Sequence, residues 1–280
     1  MNSLKQTTKR ISSLSTILQH TNNVFTSSPI AAKLATDNNK DIPLSYYQKP
    51  LPKHLIALSS KEGKDHFKNS MKSGYTEAYF NTVGHFSFQS EPAFCGVSSL
   101  VMCLNALGID PLKQWKGVWR WYDEGVVLEE ACIPTEYILK NGVTFDQFHC
   151  ISKRHCKVQS QRGDNLDLEK FRLDIKRVCS SQNESLVLNF YRKTLGQTGT
   201  GHFSPIAAYD PITDKVLVLD MARFKYPPFF VDLKLLFDSM LSLDSTTNQT
   251  RGYFLLKKKE TFLDTRFFDC KLKCFNKLSI

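Results

Sequence analysis

The sequence is short of several features that would assign it to a familiar class at once. No apolar run approaches the ~20 residues a membrane helix requires. The most apolar stretch, residues 100–109, is interrupted by Asn105 and Gly108. The expectation is a soluble, enzyme-sized chain with no membrane partner. No apolar signal-peptide core opens the chain, and none of the eight cysteines stands in a Cys-x-x-Cys pair. That disfavours a disulfide framework and a zinc ribbon, and points to reduced thiols in an intracellular compartment. Zinc-finger spacing, RNP-like aromatic motifs and helix-turn-helix cues are also missing. The net charge of +10 therefore reads as a solvated basic surface with no nucleic-acid partner. Such a surface concentrates small anions. The sequons at Asn183 and Asn248 read as chance matches.

What is there divides into three parts. Residues 1–40 are rich in Ser, Thr and Asn, with no acidic residue before Asp37. Leu4, Ile11, Leu14 and Leu18 share one helical face, with Lys5, Lys9 and Arg10 mostly off it. A mitochondrial transit peptide has this composition. A non-targeting tail fits it equally, so cytoplasmic and mitochondrial locations both stand. Pro43, Pro50 and Pro52 predict an extended approach to a folded domain over 41–257. Residues 258–280 form a short basic tail holding Cys270 and Cys274.

Within the domain, Cys95 opens a helical pattern. Val97, Leu100, Val101, Leu104 and Leu107 follow the 3.6-residue period of an amphipathic helix. Gly108 suits the C′ position and Pro111 prevents continuation. A cysteine at a helix start faces unpaired backbone N–H groups and the positive end of the dipole, which favour the reactive thiolate. Gln89, six residues upstream, has the spacing of the side-chain oxyanion donor in papain-like proteases. The plainer alternative is a small buried cysteine beside an ordinary glutamine.

A base and its orienter lie downstream. Gly201-His202 leads into a predicted strand, Phe203–Tyr209. The cluster Asp210-Pro211-Ile212-Thr213-Asp214 predicts a turn, and Val216–Asp220 a second strand. If Tyr209 pairs with Lys215, Asp220 falls opposite Ser204 and diagonal to His202. A carboxylate there holds the imidazole tautomer and stabilises the imidazolium. A one-residue slip would undo this. Taken alone, His202 is more ordinary as a hydrogen-bonded core histidine. The order Gln, Cys, His, Asp favours the catalytic reading.

Four segments carry a resemblance: Gln89–Gly96, Trp115–Glu124, Gln197–Pro205 and Asp220–Pro228. Together they resemble the phytochelatin synthases, over about Phe80 to Leu256. The resemblance implies an α+β, papain-like two-lobe fold, with a helical lobe carrying the cysteine and an antiparallel sheet lobe carrying histidine and aspartate. It implies γ-glutamylcysteine transfer from glutathione through a thioester on Cys95, with heavy-metal detoxification as the outcome. It further implies that Arg251 and Asp244 hold the α-carboxylate and α-ammonium of the γ-glutamyl head, beside Gly201. Arg223 and Tyr226 become candidates for the acceptor side, with Arg223 equally readable as a salt-bridge partner in the core. The three tryptophans, all within 115–121, read as lobe packing.

No prosthetic group is expected. Cadmium, zinc or copper is expected to enter as thiolate complexes of glutathione or phytochelatin peptides, since soft thiolates suit these metals. Cys132, Cys150 and Cys156 are weak candidates for protein-side ligands, because their spacing matches no standard zinc motif. A homodimer is compatible with the sequence. Two other readings remain: a peptidase of the same chemistry that trims glycine from glutathione or its conjugates, and a thiol-rich metal-binding protein without catalysis.

Overall fold

A computed structural model describes residues 46–260. The expected leader, and the tail beyond Glu260 with Cys270 and Cys274, lie outside the described residues. Among the described residues six helices come early: α1 (Lys61–Lys72), α2 (Glu77–Val83), α3 (Cys95–Ala106), α4 (Glu124–Glu129), α5 (Thr135–Asn141) and α6 (Phe145–His155). Strands dominate afterwards: β2 (Lys157–Arg162), β3 (Glu184–Tyr191), β4 (Gly201–Asp210), β5 (Lys215–Val218), β6 (Phe229–Asp232) and β9 (Gly252–Lys257). With β1 (Ile56–Ala57) they build one sheet in the order β1-β6-β5-β4-β3-β9-β2, every pairing antiparallel. Helices α7 (Leu168–Cys179) and α8 (Leu233–Leu241) are set among the strands, and β7 (Leu243–Asp244) pairs with β8 (Gln249–Thr250) as a separate hairpin. This is an α+β arrangement.

The sheet is buried on both faces, as the period-2 alternation of its central strands shows. In β3, Leu186, Leu188 and Phe190 join the cluster containing Phe171, Ile175 and Met240 of α7 and α8. Val187, between them, joins the opposite cluster with α3 and α6. In β9, Tyr253 and Leu255 face the first side, Phe254 and Leu256 the second. Consecutive apolar residues, 186–188 in β3 and 253–256 in β9, therefore serve both faces.

Helix α3 departs from the expected amphipathic pattern. Every residue from Gly96 to Ala106 is buried. Leu100 and Leu104 pack toward α4–α6, while Met102 packs with Leu217, Met221 and Phe230. A helix between two apolar surfaces has no polar face to show. Its predicted end holds: Gly108 takes φ +60, a left-handed conformation that glycine adopts without strain.

The β4–β5 hairpin also differs in register, in a way that preserves its consequence. Asp210, not Tyr209, pairs with Lys215, so Tyr209 faces Val216 and Ala208 faces Leu217. Between Ala208 and Ile206 the register shifts by one, and Ile206 pairs with Val218. One extra residue in β4 thus restores, past the bulge, the alignment that places Ser204 opposite Asp220. The turn itself is fixed by the Asp210 carboxylate, which accepts from Ile212 N–H, Thr213 Oγ1 and Asn69 Nδ2 and contacts His66 Nδ1 at 2.8 Å.

Candidate active site

Cys95 is the first residue of α3, and no side chain caps that helix start. Gly96 lets the helix end approach the sheet: a Cβ there would come within 2.5 Å of Val143 and 3.4 Å of Phe148 and Phe203. Phe203 follows His202 in β4, so this close approach brings Cys95, a partly exposed residue, up to the imidazole, whose charge acts on the thiol. Burial pushes the thiol up. The facing His202, the Phe203 backbone and the Arg192 charge more than offset that, and the thiol lies below its ordinary value.

His202 is buried, and its Nε2 lies 3.0 Å from Asp220 Oδ1. Nδ1 is thus the nitrogen left for the thiol. The ring stands edge-on to Phe190, with centroids 5.6 Å apart. Asp220 lies just beyond β5 and is fully buried. Burial alone would raise its carboxyl. His202 and Arg192 outweigh it and hold Asp220 below the usual carboxylate range.

Arg192 escaped the sequence reading. Its Nη1 donates to Asp220 Oδ2 at 2.8 Å and Nη2 to Oδ1 at 2.9 Å, a bidentate pair whose side chains are 2% and 0% exposed. Nη1 also donates to Gln197 Oε1 at 2.6 Å, and Ala222 N–H donates to Asp220 Oδ1 at 2.9 Å. The only sequence signal was a lone arginine closing an apolar strand.

The binding candidates divide. Arg251 is buried, with Nη1 3.3 Å from Asp244 Oδ2 and its guanidinium over the Tyr191 ring at 5.5 Å. Its Nη1 lies so close over Gly201 that a Cβ there would overlap it, which explains a glycine immediately before His202. Burial lowers its pKa despite Asp244, and the Cys95 charge is close enough to act on it. Its buried Nε has no hydrogen-bond partner. Arginine, Asp244 and the thiol thus share one site. Tyr226 is also buried, but its hydroxyl accepts from Thr198 N–H at 2.9 Å, and Arg192 sits 5.4 Å over its ring. Arg223 packs over Phe86 at 4.6 Å, with a buried Nη1 lacking a partner. Half-buried Lys225, not singled out from sequence, is held below the ordinary lysine value by burial and Arg192, and feels the Cys95 charge.

Gln89 does not present itself as expected. Its side-chain Nε2 donates to Glu91 O and Pro92 O, both at 2.9 Å, so both amide hydrogens are engaged inside the loop. The buried Oε1 has no partner. Among the metal candidates, Cys156 is wholly buried and its thiol donates to Ser152 O at 3.3 Å, while Cys132 and Cys150 sulfurs stand 3.2 Å apart. No group of three or more His, Cys, Asp or Glu side chains gathers as metal ligands among the described residues.

The thiol's position gives a first test. Its thiolate should persist on the acid side of the ordinary cysteine value of about 8.5. Absorbance titration of the wild type, with Cys95→Ser as reference, should give a midpoint below that value. His202→Ala should move it upward, because the opposing burial remains. An unchanged midpoint would mean that His202 does not act on the thiol.

A thiol, an imidazole and a carboxylate in relay beside an uncapped helix start are an arrangement able to carry cysteine-nucleophile acyl transfer. Family comparison makes this particular. A phytochelatin synthase family model matches residues 46–253, and the chain belongs to that family. Glutathione gamma-glutamylcysteinyltransferase 2 of Arabidopsis thaliana is 41% identical over 215 residues, covering 76% of this chain and 47% of the relative. The Triticum aestivum transferase 1 is 42% identical over 221 residues, covering 78% and 43%. The Schizosaccharomyces pombe transferase is 40% identical over 214 residues, covering 76% and 51%. The chain spans about half the length of these relatives.

Proposed function

We propose that this chain is a glutathione γ-glutamylcysteinyltransferase that makes phytochelatins, with residues 41–257 as its papain-like catalytic domain. The observation that carries the reading is the convergence of the Cys95–His202–Asp220 relay with the buried Arg251–Asp244 pair across Gly201. A nucleophile alone suits many acyl donors. An acid–base pair one residue from the imidazole suits a donor with a free amino-acid head, which a γ-linked peptide offers and an α-linked one does not.

In this reading Cys95 attacks the Cys–Gly carbonyl of glutathione. Its proton passes to His202, which returns it to the departing glycine nitrogen. A γ-glutamylcysteinyl thioester remains on Cys95. The α-amine of a second glutathione, or of a growing chain, attacks that thioester, and the thiolate leaves as the new peptide bond forms. The Cys95 N–H at the helix start serves the oxyanion, where a positioned donor contributes a few kcal/mol. Gln89 joins it by releasing one of its two loop carbonyls. Arg223 and Lys225, beside Tyr226, stand on the acceptor side, where a metal-thiolate acceptor carries net negative charge.

Incubation with glutathione and cadmium, read by mass spectrometry, tests the reading. Longer γ-Glu-Cys chains are expected. γ-Glu-Cys alone would establish hydrolysis, and unchanged glutathione a non-catalytic thiol protein. Arg251→Ala should lower kcat/KM by about 30–150-fold, the equivalent of roughly 2–3 kcal/mol for a charge-assisted hydrogen bond. The same variant should lose most of its preference for glutathione over the α-linked Glu-Cys-Gly peptide. Full selectivity in the variant would place the γ-glutamyl clamp elsewhere.

A further inference from the structure

The tryptophan-rich segment has no task in the chemistry so far. Its hydrogen bonds give it one. Asn105 of α3 donates to Tyr122 O at 2.9 Å and accepts from Tyr122 N–H at 3.2 Å, which pins the segment to the C-terminal end of the nucleophile helix. Trp115 Nε1 donates to Asp123 at 2.6 Å, and Asp123 caps α4 through Val126 N–H at 2.8 Å. Glu124, the first residue of α4, is thereby held against the other end of the nucleophile helix.

There the Glu124 carboxylate gathers three groups. Ser90 donates to it twice, from its backbone N–H at 3.2 Å and from its hydroxyl. Ser98, one turn into α3, donates its hydroxyl to Oε1, the oxygen that also accepts the Ser90 N–H, and lies 2.9 Å from Phe94 O. One carboxylate therefore clamps the start of the 89–94 loop to the first turn of α3. From within, Gln89 braces the same loop through Glu91 O and Pro92 O, and its N–H bonds Met221 O at 3.1 Å, one residue past Asp220. The loop so held delivers Cys95 and carries Gln89.

We infer that Glu124 is a positioning residue for the acylation step: it fixes the 89–94 loop on α3, so that the Cys95 N–H meets the oxyanion in one geometry. The inference rests on the acyl-transfer reading of Cys95. Glu124 acts through Ser90 and Ser98 and touches neither thiol, imidazole nor the γ-glutamyl clamp. Its loss should slow bond-making and leave ground-state binding alone, because an oxyanion exists only in the transition state. Misplacement of about 1 Å is enough to cost on the order of 10²-fold.

The test is the single-turnover rate of glycine release from glutathione, with the thioester followed on intact protein. Glu124→Ala should lower the acylation rate tenfold or more, with KM for glutathione within twofold and the thiolate titration midpoint unmoved. Glu124→Gln, which retains one acceptor oxygen, should restore most of the rate. A Glu124→Ala rate within twofold of wild type overturns the inference, as does a loss that appears in KM rather than kcat. If Glu124→Ala does not fold, Ser90→Ala removes one arm of the clamp at an exposed position, and a rate unchanged in that variant overturns it equally. Absence of any thioester in the wild type would instead overturn the acyl-transfer reading itself.

Discussion

Replacing His202 with alanine should lower the rate of thioester formation by about 10²–10⁴-fold, the span of a general acid–base group, without unfolding the protein. The rate falls because two proton transfers lose their carrier: thiol deprotonation and protonation of the leaving glycine. The fold persists for a reason specific to this site. Asp220 stays neutralised by the Arg192 fork and still accepts from Ala222 N–H. No charge is stranded by the substitution, and the space lost lies beside Phe190, at a ring-to-ring distance of 5.6 Å. Single-turnover glycine release and thermal unfolding by circular dichroism measure the two halves. A folded variant acylated at near wild-type rate would remove His202 from the mechanism.

Asp220→Asn should fail in both respects. The neutral amide no longer holds the imidazole in its reactive tautomer, a loss on the order of 10⁴-fold where a carboxylate plays this part in a serine triad. It also leaves Arg192, 2% exposed, without its counter-charge. Breaking a buried pair on one side costs about 3–5 kcal/mol, so the variant should be markedly less stable. Combining Asp220→Asn with Arg192→Met removes the stranded cation. The double variant should regain most of the stability and none of the activity. If it regains activity as well, Asp220 serves to neutralise Arg192 and does not orient His202. If the single variant loses no stability, the pair matters little to the fold.

Much of this site is legible in the chain because its signals are local. The helix after Cys95 and its end at Gly108 follow from periodicity and glycine chemistry, and the hairpin carrying His202 and Asp220 from two strand-like runs flanking a turn cluster. What is not legible depends on partners distant in sequence. Helix α3 reads as amphipathic but is buried all round, because Met102 meets β5 and β6, 100 and more residues away. The register at the turn is off by one, and the bulge beside Ala207 that corrects it has no sequence mark. Arg192 looks like a strand-ending arginine until β4 and the Asp220 segment fold onto it. Gln89 has the spacing of an oxyanion donor, yet spacing does not say that two carbonyls within its own loop engage its amide.

The central claim is that acylation occurs on Cys95, and intact-protein mass spectrometry after incubation with glutathione measures it most directly. Wild-type protein should carry a γ-glutamylcysteinyl adduct that localises to Cys95. Cys95→Ser, whose hydroxyl is a far weaker nucleophile beside the same imidazole, should carry none. An undiminished adduct on Cys95→Ser would place the acyl group on another residue and contradict the account.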